Sequence, residues 1–416
     1  MGGYSALGLL RHGLGAKAWP PAWREASPRE RYRVVIIGGG GHGLATAYYL
    51  ARNHGIRDVA VLEKGWIGGG NTGRNTTIVR SNYYYPESAA LYDLSLKLYE
   101  GLSRELDYNI MLSQRGMMTV AHSRHELDMV RRWAGAIRAN GIDSELLSPV
   151  EVARLAPLFD TSPQARYPVW GGFIQRRGGT ARHDAVAWGY ARAASTLGVD
   201  IIQNCEVTAI RRDPTGRATG VGTSRGEIAA DSVVMAVAGH STAVADMAGF
   251  RLPVTSYALQ AMVSEPVKPV LDVVVLSLAT GLYVSQSDKG EMVLGGALDL
   301  YNSYGQRGNL PTAINVAGAA AEQFPALGRL RMLRQWAGIV DVVQDSSPIL
   351  GESPVPGLYI NCGWGTGGFK AIPAGGWLTA HHVATGHSHA IATPFSLRRF
   401  TTGALIDEAA AAGIAH

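Results

Sequence analysis

Three glycines at the spacing G-x-G-x-x-G follow an apolar run near the start of the chain, and a carboxylate ends the next apolar run. Gly38, Gly40 and Gly43 form the triplet, and Glu63 is the carboxylate. The first glycine permits a tight turn, the second lets a pyrophosphate approach the backbone, and the third lets a helix pack closely on the preceding strand. The carboxylate can accept hydrogen bonds from both hydroxyls of an adenosine ribose, and it would repel a phosphate there. The pattern predicts binding of FAD or NAD.

Two cationic side chains that lie far apart in the chain have the chemistry to bind a carboxylate. Arg80 ends the segment Gly65–Arg80, whose glycines and hydroxyls suit close wrapping around a flavin and its phosphates. Its guanidinium offers a planar fork to a carboxylate, although a surface ion pair is the common role of an arginine. Lys370 closes a second glycine-rich turn, Gly363–Lys370, whose N–H groups and dipole favour negative charge on a reduced flavin ring. Lys370 itself either meets a carboxylate or faces an anion in solvent.

A histidine and three arginines precede a helical pattern in the middle of the chain. His183 stands just before that pattern, where spacing alone favours a polar helix-start residue without a chemical role. Its neighbours Arg176, Arg177 and Arg182 form a basic cluster that offers charge-assisted hydrogen bonds to a phosphate. From the residues alone, both interpretations of His183 stay open.

Composition and charge argue against several classes of function. The chain has 416 residues and a net charge of +5 without a run of Lys and Arg, which disfavours nucleic acid and anionic membranes as partners. Cys205 and Cys362 lie far apart without a C-x-x-C, so we predict no disulfide framework, metal site or disulfide-reductase centre. No apolar run approaches the roughly 18 residues of a membrane span, and the start lacks a signal-peptide pattern. We therefore expect a cytoplasmic protein.

The elements that must position these residues alternate between strands and helices. Val34–Ile37 is an unbroken apolar run typical of a buried parallel strand, and a helix then leads to the strand that ends at Glu63. A further helix is predicted from Pro86. Glu227–Ala230 and Ser232–Ala238 are predicted as two separate strands, the second of which returns to the first sheet. The nucleotide-binding domain is therefore expected to be discontinuous in sequence.

We predict an α/β fold with a Rossmann-like nucleotide-binding domain and a second, sheet-based α+β substrate domain. Tryptophans and prolines among basic residues before the first strand indicate an N-terminal arm that docks on the protein, with a disordered terminus as the alternative. The predicted units are an arm at 1–30, a nucleotide-binding domain at 31–113, 176–250 and 336–395, a substrate domain at 114–175 and 251–335, and a C-terminal tail at 396–416.

Over nearly its whole length the chain resembles the β subunits of heterotetrameric sarcosine oxidase, within the D-amino acid oxidase-like flavoproteins. Long runs carry the likeness, well beyond the glycine triplet. They are Gly38–Leu50, Arg74–Tyr83, Arg182–Trp188, Asn361–Lys370 and Thr402–Glu408. The resemblance implies a D-amino acid oxidase-like fold whose Rossmann-like domain binds FAD. It also implies an enzyme that oxidatively demethylates sarcosine to glycine.

The resemblance implies two flavins. FAD binds non-covalently, and FMN is attached covalently through His183 and shared with a larger α subunit, which reverses the interpretation of His183 from spacing. Arg80 and Lys370 would hold the substrate carboxylate. The residues implied in FAD binding are Gly38, Gly40, Gly41, His42, Gly43, Glu63, Lys64, Asn71, Thr76, Thr77, Val207, Gly365, Gly368 and Lys370.

The family also implies partners and an electron path. Hydride passes from the substrate to FAD, electrons pass to FMN and then to oxygen, and the one-carbon unit goes to tetrahydrofolate or leaves as formaldehyde. The chain would assemble with α, γ and δ subunits as a heterotetramer, and its substrate would be a small secondary amino acid.

One segment departs from the family pattern. Family members carry Ser-His-Pro-Leu-Gln where this chain has Ser256–Gln260, so Tyr257 replaces an imidazole in a segment expected to border the substrate. N-Methylglutamate dehydrogenase shares much of the framework, including a likeness to Tyr301–Tyr304. One alternative is therefore a dehydrogenase for N-methylglutamate or another secondary amino acid, with a different electron acceptor. Another is a subunit that relays electrons without contacting substrate.

Overall fold

The structure, a computed structural model, describes residues 5–15 and 21–406 of the chain. Trp19 of the predicted arm and residues 407–416 of the predicted tail lie outside the described residues. The α-helices are α1 (Ala6–Gly13), α2 (Gly41–His54), α3 (Pro86–Glu105), α4 (Arg124–Ala139), α5 (Pro149–Leu155), α6 (His183–Thr196), α7 (Ser241–Met247), α8 (Leu310–Gln323), α9 (Ile372–Thr385) and α10 (Arg399–Thr402).

The strands of the described residues fall into two large sheets and one short pair. They are β1 (Arg31–Ile37), β2 (Val59–Leu62), β3 (Ile78–Val79), β4 (Met117–Ala121), β5 (Glu145–Leu147), β6 (Gly171–Gln175), β7 (Gly179–Thr180), β8 (Asp200–Ile202), β9 (Val207–Arg212), β10 (Ala218–Thr223), β11 (Gly226–Met235), β12 (Val254–Pro266), β13 (Val274–Ser277), β14 (Tyr283–Gln286), β15 (Glu291–Asn302), β16 (Met332–Val343), β17 (Ile349–Glu352) and β18 (Leu358–Cys362).

The first sheet has β1 at its centre. Its order is β17-β18-β11-β1-β2-β8, and the five strands from β18 to β8 run parallel. In addition, β10 pairs antiparallel with β11, and β9 pairs antiparallel with β10. Val34 and Ile36 pack into the apolar cluster on one face, and Val35 and Ile37 into the cluster on the other. A strand covered on both faces is apolar without alternation, which explains the run seen in the sequence. The predicted Rossmann-like domain is confirmed.

The prediction of two separate strands at Glu227–Ala230 and Ser232–Ala238 is wrong, because one strand, β11, runs through both and ends at Met235. The first half of β11 pairs antiparallel with β10, and its second half pairs parallel with β1 and β18. Asp231 lies between the halves with its side chain half exposed and ion-paired to Arg31. A charged residue on the solvent side does not interrupt a hydrogen-bonded ladder, so the strand continues through it.

Three helices cover the face of the first sheet that carries Val34 and Ile36. α2, α6 and α9 contribute buried residues to the same cluster, and α2 packs against both α6 and α9. The α2–α9 contact depends on a glycine, because a Cβ on Gly376 would lie 2.4 Å from the Cβ of Ala45. The helix predicted from Pro86 is confirmed as α3, with proline in its first turn.

The second sheet has the order β16-β12-β15-β14-β13-β4-β6-β5 and is antiparallel except for the β13–β4 pair. Its strands come from two separate stretches of chain, so the two sheets alternate along the sequence. The predicted boundary between residues 335 and 336 falls inside β16, which is one continuous strand of the second sheet. We propose that the domain boundary lies after Val343.

The segment before β1 lies against the first sheet. Trp23 packs on the cluster around α2, and Arg24 and Arg29 form ion pairs with the buried carboxylate of Asp200 in β8. α1 has no buried residue. Within residues 5–15 and 21–406, no helix is long and apolar enough to cross a membrane, and no cluster of His, Cys, Asp and Glu could hold a metal ion.

Candidate active site

A cavity of about 540 Å³ opens at the carboxyl ends of the central parallel strands. Two glycines explain how the chain bends tightly enough there. Gly38 has φ +109°, and a Cβ on it would lie 2.4 Å from the carbonyl oxygen of Ala236. A Cβ on Gly43 would lie 2.0 Å from the carbonyl oxygen of Gly38. These close approaches place the N-terminus of α2 at the cavity, where its N–H groups favour a bound anion.

Glu63 lies in this cavity at the end of β2, held by two backbone hydrogen bonds. One carboxylate oxygen accepts from the N–H of Gly39 at 2.8 Å, and the other accepts from the N–H of Gly65 at 2.8 Å. Each oxygen keeps a second lone pair. The backbone therefore fixes the orientation of the carboxylate and leaves it able to accept from a diol.

His42 joins the first turn of α2 to the glycine-rich turn before α9. Its Nε2 lies 2.9 Å from the carbonyl oxygen of Gly368, and its ring stacks on Trp364 with centroids 4.5 Å apart. Burial lowers the pKa of His42 to about 4, so the imidazole is neutral at physiological pH. Since a carbonyl oxygen only accepts, Nε2 carries the proton. This histidine connects two walls of the cavity.

Arg80 follows β3 and is 2% exposed. Its Nη1 donates to the Oδ1 of Asn82 at 2.7 Å, and its guanidinium lies over the ring of Tyr83, 4.6 Å from the centroid. The structure also places it in the lining of the cavity. The surface ion pair considered as the alternative role for Arg80 is wrong, because this guanidinium is buried.

Lys370 lines the same cavity and is 5% exposed. Its Nζ donates to the carbonyl oxygen of Thr366 at 3.1 Å, within the turn that the sequence predicted. Burial lowers the pKa of Lys370 well below its usual value, and repulsion from the Arg80 guanidinium lowers it further. Two buried cations that repel one another form a site in which an anionic ligand relieves an electrostatic cost.

Residues that the sequence reasoning missed also line the cavity. Thr72 accepts the N–H of Gly41 at 2.9 Å with its hydroxyl, and Asp341 is a buried carboxylate on β16. Thr72 belongs to the hydroxyl-rich segment after β2, which was predicted to wrap a flavin, so composition was its only signal. Asp341 had no local signal, because a single aspartate after an apolar strand is common.

A second cavity of about 680 Å³ contains His183 and a group of basic side chains. The Nδ1 of His183 is buried and has no hydrogen-bond partner among the described residues. Burial lowers the pKa of His183, Asp184 raises it and Arg182 lowers it again, and the net effect is a lower pKa. The basic residues of the lining are Arg74, Arg182, Lys289, Arg307 and Arg334.

The two cavities share a wall. Trp66, Gly69, Arg74, Gln306 and the run 75–77 line both. Thr77 lies in the left-handed region with φ +67°, and its N–H donates to the Oδ1 of Asn75 at 2.6 Å. Its carbonyl oxygen accepts from Ala181 at 3.0 Å, which ties the wall to the segment before His183.

The predicted basic cluster divides in the structure. Arg176 pairs with Glu145, and Arg177 pairs with Glu100 and Asp93. Neither arginine lines either cavity, and only Arg182 of the cluster does. Arg176 and Arg177 therefore pair with carboxylates that are distant in the sequence. Spacing along the chain could not reveal these partners.

The cavity brings together most of the residues predicted for FAD and substrate. Gly43 and Tyr257 are not in its lining; Gly43 lies beneath it, and Tyr257 lies on β12 opposite Val340. Leu259 and Ala261, two and four residues further along β12, do line it. The predicted residues in the lining are Gly38, Gly40, Gly41, His42, Glu63, Lys64, Asn71, Thr76, Thr77, Arg80, Val207, Gly365, Gly368 and Lys370.

The residues present fit FAD. A glycine turn at a helix N-terminus suits a pyrophosphate, a Cβ on Gly41 would lie 2.2 Å from Ile372, and Glu63 is oriented to accept from ribose hydroxyls. One continuous cavity contains both Glu63 and Lys370, as an elongated dinucleotide requires.

Comparison with known proteins agrees with this site. The family described as FAD dependent oxidoreductase matches residues 33–382. The chain is 52% identical to sarcosine oxidase subunit beta of Rhodobacter capsulatus over 99% of either chain, and 54% identical to that of Rhizobium meliloti over 97% of either.

Solved structures share the fold. L-proline dehydrogenase of P. horikoshii matches with a TM-score of 0.85 and 26% identity, over 91% of this chain and 100% of its own. Glycine oxidase of Geobacillus kaustophilus matches with a TM-score of 0.80 and 24% identity, over 89% of this chain and 99% of its own, and shows the fold alone. The chain belongs to the FAD-dependent oxidoreductase family and is a relative of the sarcosine oxidase β subunits, as its motifs predicted.

Proposed function

We propose that this chain is the FAD-binding β-type subunit of an enzyme that oxidises sarcosine to glycine. The observation that carries the proposal is the pair of buried cations, Arg80 and Lys370, in the cavity that also fits FAD. Identity of 52% and 54% to sarcosine oxidase β subunits supports sarcosine over the alternative of a larger secondary amino acid.

The cation pair binds the carboxylate of the amino acid. The fork of Arg80 is oriented by Asn82 and Tyr83, and the ammonium of Lys370 is held by Thr366. Because both side chains are almost fully buried, the carboxylate binds in a place of low polarity where charge-assisted hydrogen bonds are strong. Binding through the carboxylate positions the N-methyl group of the substrate within the cavity.

FAD, when bound, supplies a two-electron acceptor for a hydride from the substrate C–N unit. The chain contributes positioning and exclusion of water, which account for much of the rate in reactions of this kind. His42 is neutral and hydrogen-bonded to Gly368, so its role is to fix the turn before α9 against α2 and not to exchange protons.

We further propose that the second cavity holds FMN, bound covalently through His183 and shared with an α subunit. Three observations support this. A neutral, buried imidazole is a nucleophile, and its Nδ1 lacks a partner among the described residues. The lining also carries basic side chains that suit a phosphate, although Arg182 is paired with Asp184. The wall around Thr77 would then separate the two flavins. Electrons would pass across it to FMN and on to oxygen.

The sarcosine oxidase relatives are β subunits, which supports a multi-subunit enzyme. We propose α, γ and δ partners in a heterotetramer. The one-carbon unit would then go to tetrahydrofolate or leave as formaldehyde.

The proposal is tested by anaerobic titration of the co-expressed complex. Sarcosine, N-methylglutamate, dimethylglycine and proline are added in turn, and bleaching of the flavin absorption is recorded before oxygen is readmitted. We expect sarcosine to bleach the flavin at the lowest concentration, with rapid reoxidation and peroxide release. Bleaching by N-methylglutamate alone, with slow reoxidation, would contradict sarcosine as the substrate and indicate an N-methylglutamate dehydrogenase. An absence of bleaching with all four compounds would refute the oxidation of secondary amino acids.

The covalent flavin is tested by denaturing the complex and mapping flavin-bearing peptides. We expect FMN on the peptide that contains His183, and its loss in a His183→Ala variant that retains FAD. His125→Ala, a change at an exposed histidine of α4, serves as the matched control and should keep the covalent flavin. Recovery of the His183 peptide unmodified from active complex would contradict the attachment.

A further inference from the structure

Asp341 is a buried carboxylate in the wall of the FAD cavity. It lies on β16, is 1% exposed and lines the cavity. Its Oδ2 accepts the N–H of Gly363 at 2.5 Å. The backbone N–H groups of Asp341 itself, Trp364 and Gly365 also act to lower its pKa. The start of the turn before α9 therefore favours a negative charge on this side chain.

The turn has a shape that permits this arrangement. Gly363 has φ +73° and Gly365 has φ +50°, a region that favours glycine, and a Cβ on Gly363 would lie 2.6 Å from Val343. Successive N–H groups in such a turn form a concave site for an anion. Here the anion is a side chain of the protein itself.

This arrangement bears on the prediction from sequence. The amides of the turn Gly363–Lys370 were expected to favour negative charge on a reduced flavin. The first of them, the N–H of Gly363, donates to Asp341, so at this part of the wall the cavity is lined by a carboxylate. Burial raises the pKa of Asp341 to about 6 despite the backbone N–H groups, so the group is largely ionised at neutral pH.

We propose that Asp341 sets the electron affinity of the flavin in this cavity by engaging the Gly363 N–H and opposing negative charge on the reduced ring. Two electrons and one proton convert the neutral oxidised ring to a reduced ring with one negative charge. A nearby carboxylate in a place of low polarity disfavours that product. The inference rests on the proposed function only in that FAD occupies the cavity.

The test is the midpoint potential of FAD in Asp341→Asn, measured by equilibration with a redox dye. The complex carries His183→Ala in every sample, so that FAD is followed without the proposed covalent flavin. Asparagine preserves the shape of the side chain and removes its charge. We expect the ratio of reduced to oxidised FAD at a fixed potential to rise by about tenfold, the factor that corresponds to one pKa unit of charge interaction.

Asp345→Asn is the matched control. Asp345 is also buried and follows the same strand, but it pairs with Arg399 and does not line the cavity. We expect this variant to leave the potential unchanged even where it lowers the melting temperature. An unchanged or lower potential in Asp341→Asn would overturn the inference.

A second measurement decides the matter if Asp341→Asn fails to retain FAD. In the complex with an intact Asp341, the plot of midpoint potential against pH should show a bend near pH 6, where the carboxyl titrates, in addition to the bend caused by protonation of the reduced flavin at N1. Among the described residues, titratable or charged groups near this end of β16 include Arg74, His240, Tyr257 and Cys362. Because the pKa of His240 is itself lowered by burial, the plot is recorded in His240→Gln. Absence of the bend near pH 6 would overturn the inference.

These measurements need no amino-acid substrate, since dithionite supplies the electrons. A shifted potential in Asp341→Asn together with no bleaching by sarcosine would refute the proposed substrate and leave the role of Asp341 standing. Bleaching by sarcosine with an unshifted potential would support the proposed substrate and overturn the role of Asp341.

Discussion

At the scale of the residue, Lys370 is a cation almost fully removed from water. Its side chain is 5% exposed and lies beside a second cation, which is unfavourable for the protein without ligand. In the proposed function, a substrate carboxylate would lower this cost because its negative charge attracts both cations. The same burial that is costly without ligand would then favour an anionic group.

We expect Lys370→Met to raise the KM for sarcosine by about 10- to 150-fold, the equivalent of about 1.5–3 kcal/mol for a hydrogen bond to a charged group. Steady-state kinetics of the complex would measure this. Lys97→Met is the matched control, because Lys97 is exposed on α3 and pairs only locally with Asp93. An unchanged KM in Lys370→Met would exclude the lysine from carboxylate binding.

The depressed pKa of Lys370 also predicts how ligand binding depends on pH. Only the ammonium form binds a carboxylate, so affinity for acetate, a non-reactive probe, should fall as the pH rises through a value well below the usual lysine range. Without ligand the sign for stability is opposite: deprotonation relieves the buried charge, so this group destabilises the fold less at higher pH. The acetate affinity would be read from the flavin spectrum between pH 6 and 10.

Lys370→Arg provides the control for this pH profile. A guanidinium stays protonated throughout the range, so acetate affinity should lose its dependence on pH in this variant. A fall in affinity that persists in Lys370→Arg would assign the titration to another group.

At the scale of the element, the path of α2 depends on glycine at Gly43, where the nearest atom is backbone. A Cβ on Gly43 would lie 2.0 Å from the carbonyl oxygen of Gly38, which is backbone and has no room to move. Helix α3 offers the contrast, because a Cβ on Gly101 would have no atom within 4 Å.

We expect Gly43→Ala to lose FAD and to melt at a lower temperature, since α2 must move away from β1. Gly101→Ala should instead stabilise the protein by about 0.5–1 kcal/mol, because alanine loses less conformational entropy in a helix than glycine does. Thermal unfolding and the FAD content of purified protein would test both. Full FAD content in Gly43→Ala would show that the helix adjusts without cost.

At the scale of the whole molecule, a buried ion pair joins the C-terminal segment to the core. The guanidinium of Arg399 on α10 donates to both oxygens of Asp345, at 2.7 and 2.9 Å, and to the carbonyl oxygen of Ser347 at 2.7 Å. The N–H of Ile406 donates to the same carboxylate at 3.0 Å. Both side chains of the pair are almost fully buried.

Removal of one partner leaves a buried charge, so we expect Arg399→Met to lower the free energy of unfolding by about 3–5 kcal/mol. Arg211→Met, which breaks an exposed pair with Glu227, should change it little. Chemical denaturation followed by fluorescence would measure both. Equal effects of the two changes would mean that the C-terminal segment is not held by this pair.

Several features of the protein follow from residues that are close in sequence. The glycine triplet, the carboxylate after β2 and the proline at the start of α3 act through turns and single helices, so spacing was sufficient to predict them. The resemblance to sarcosine oxidase β subunits added the enzyme class, which residue pattern alone left at a nucleotide-binding fold.

The separation of β11 into two strands was wrong, and Arg176 and Arg177, predicted as phosphate or interface groups, lie outside both cavities, for one reason. In both cases the deciding partner comes from a distant part of the chain. β1 and β18 continue the hydrogen-bonded ladder of β11 past Asp231, and Glu100 forms an ion pair with Arg177. Sequence spacing carries no information about such partners.

By itself, the sequence determined a dinucleotide-binding sheet and its family, because these depend on local backbone geometry and on long runs of shared residues. Only the tertiary structure brought Arg80 and Lys370 into one buried cavity and placed Asp341 against the N–H of Gly363 in the turn before α9. The electrostatics of this site arise from burial and from distances between separate elements. These are set by the packing of the two sheets.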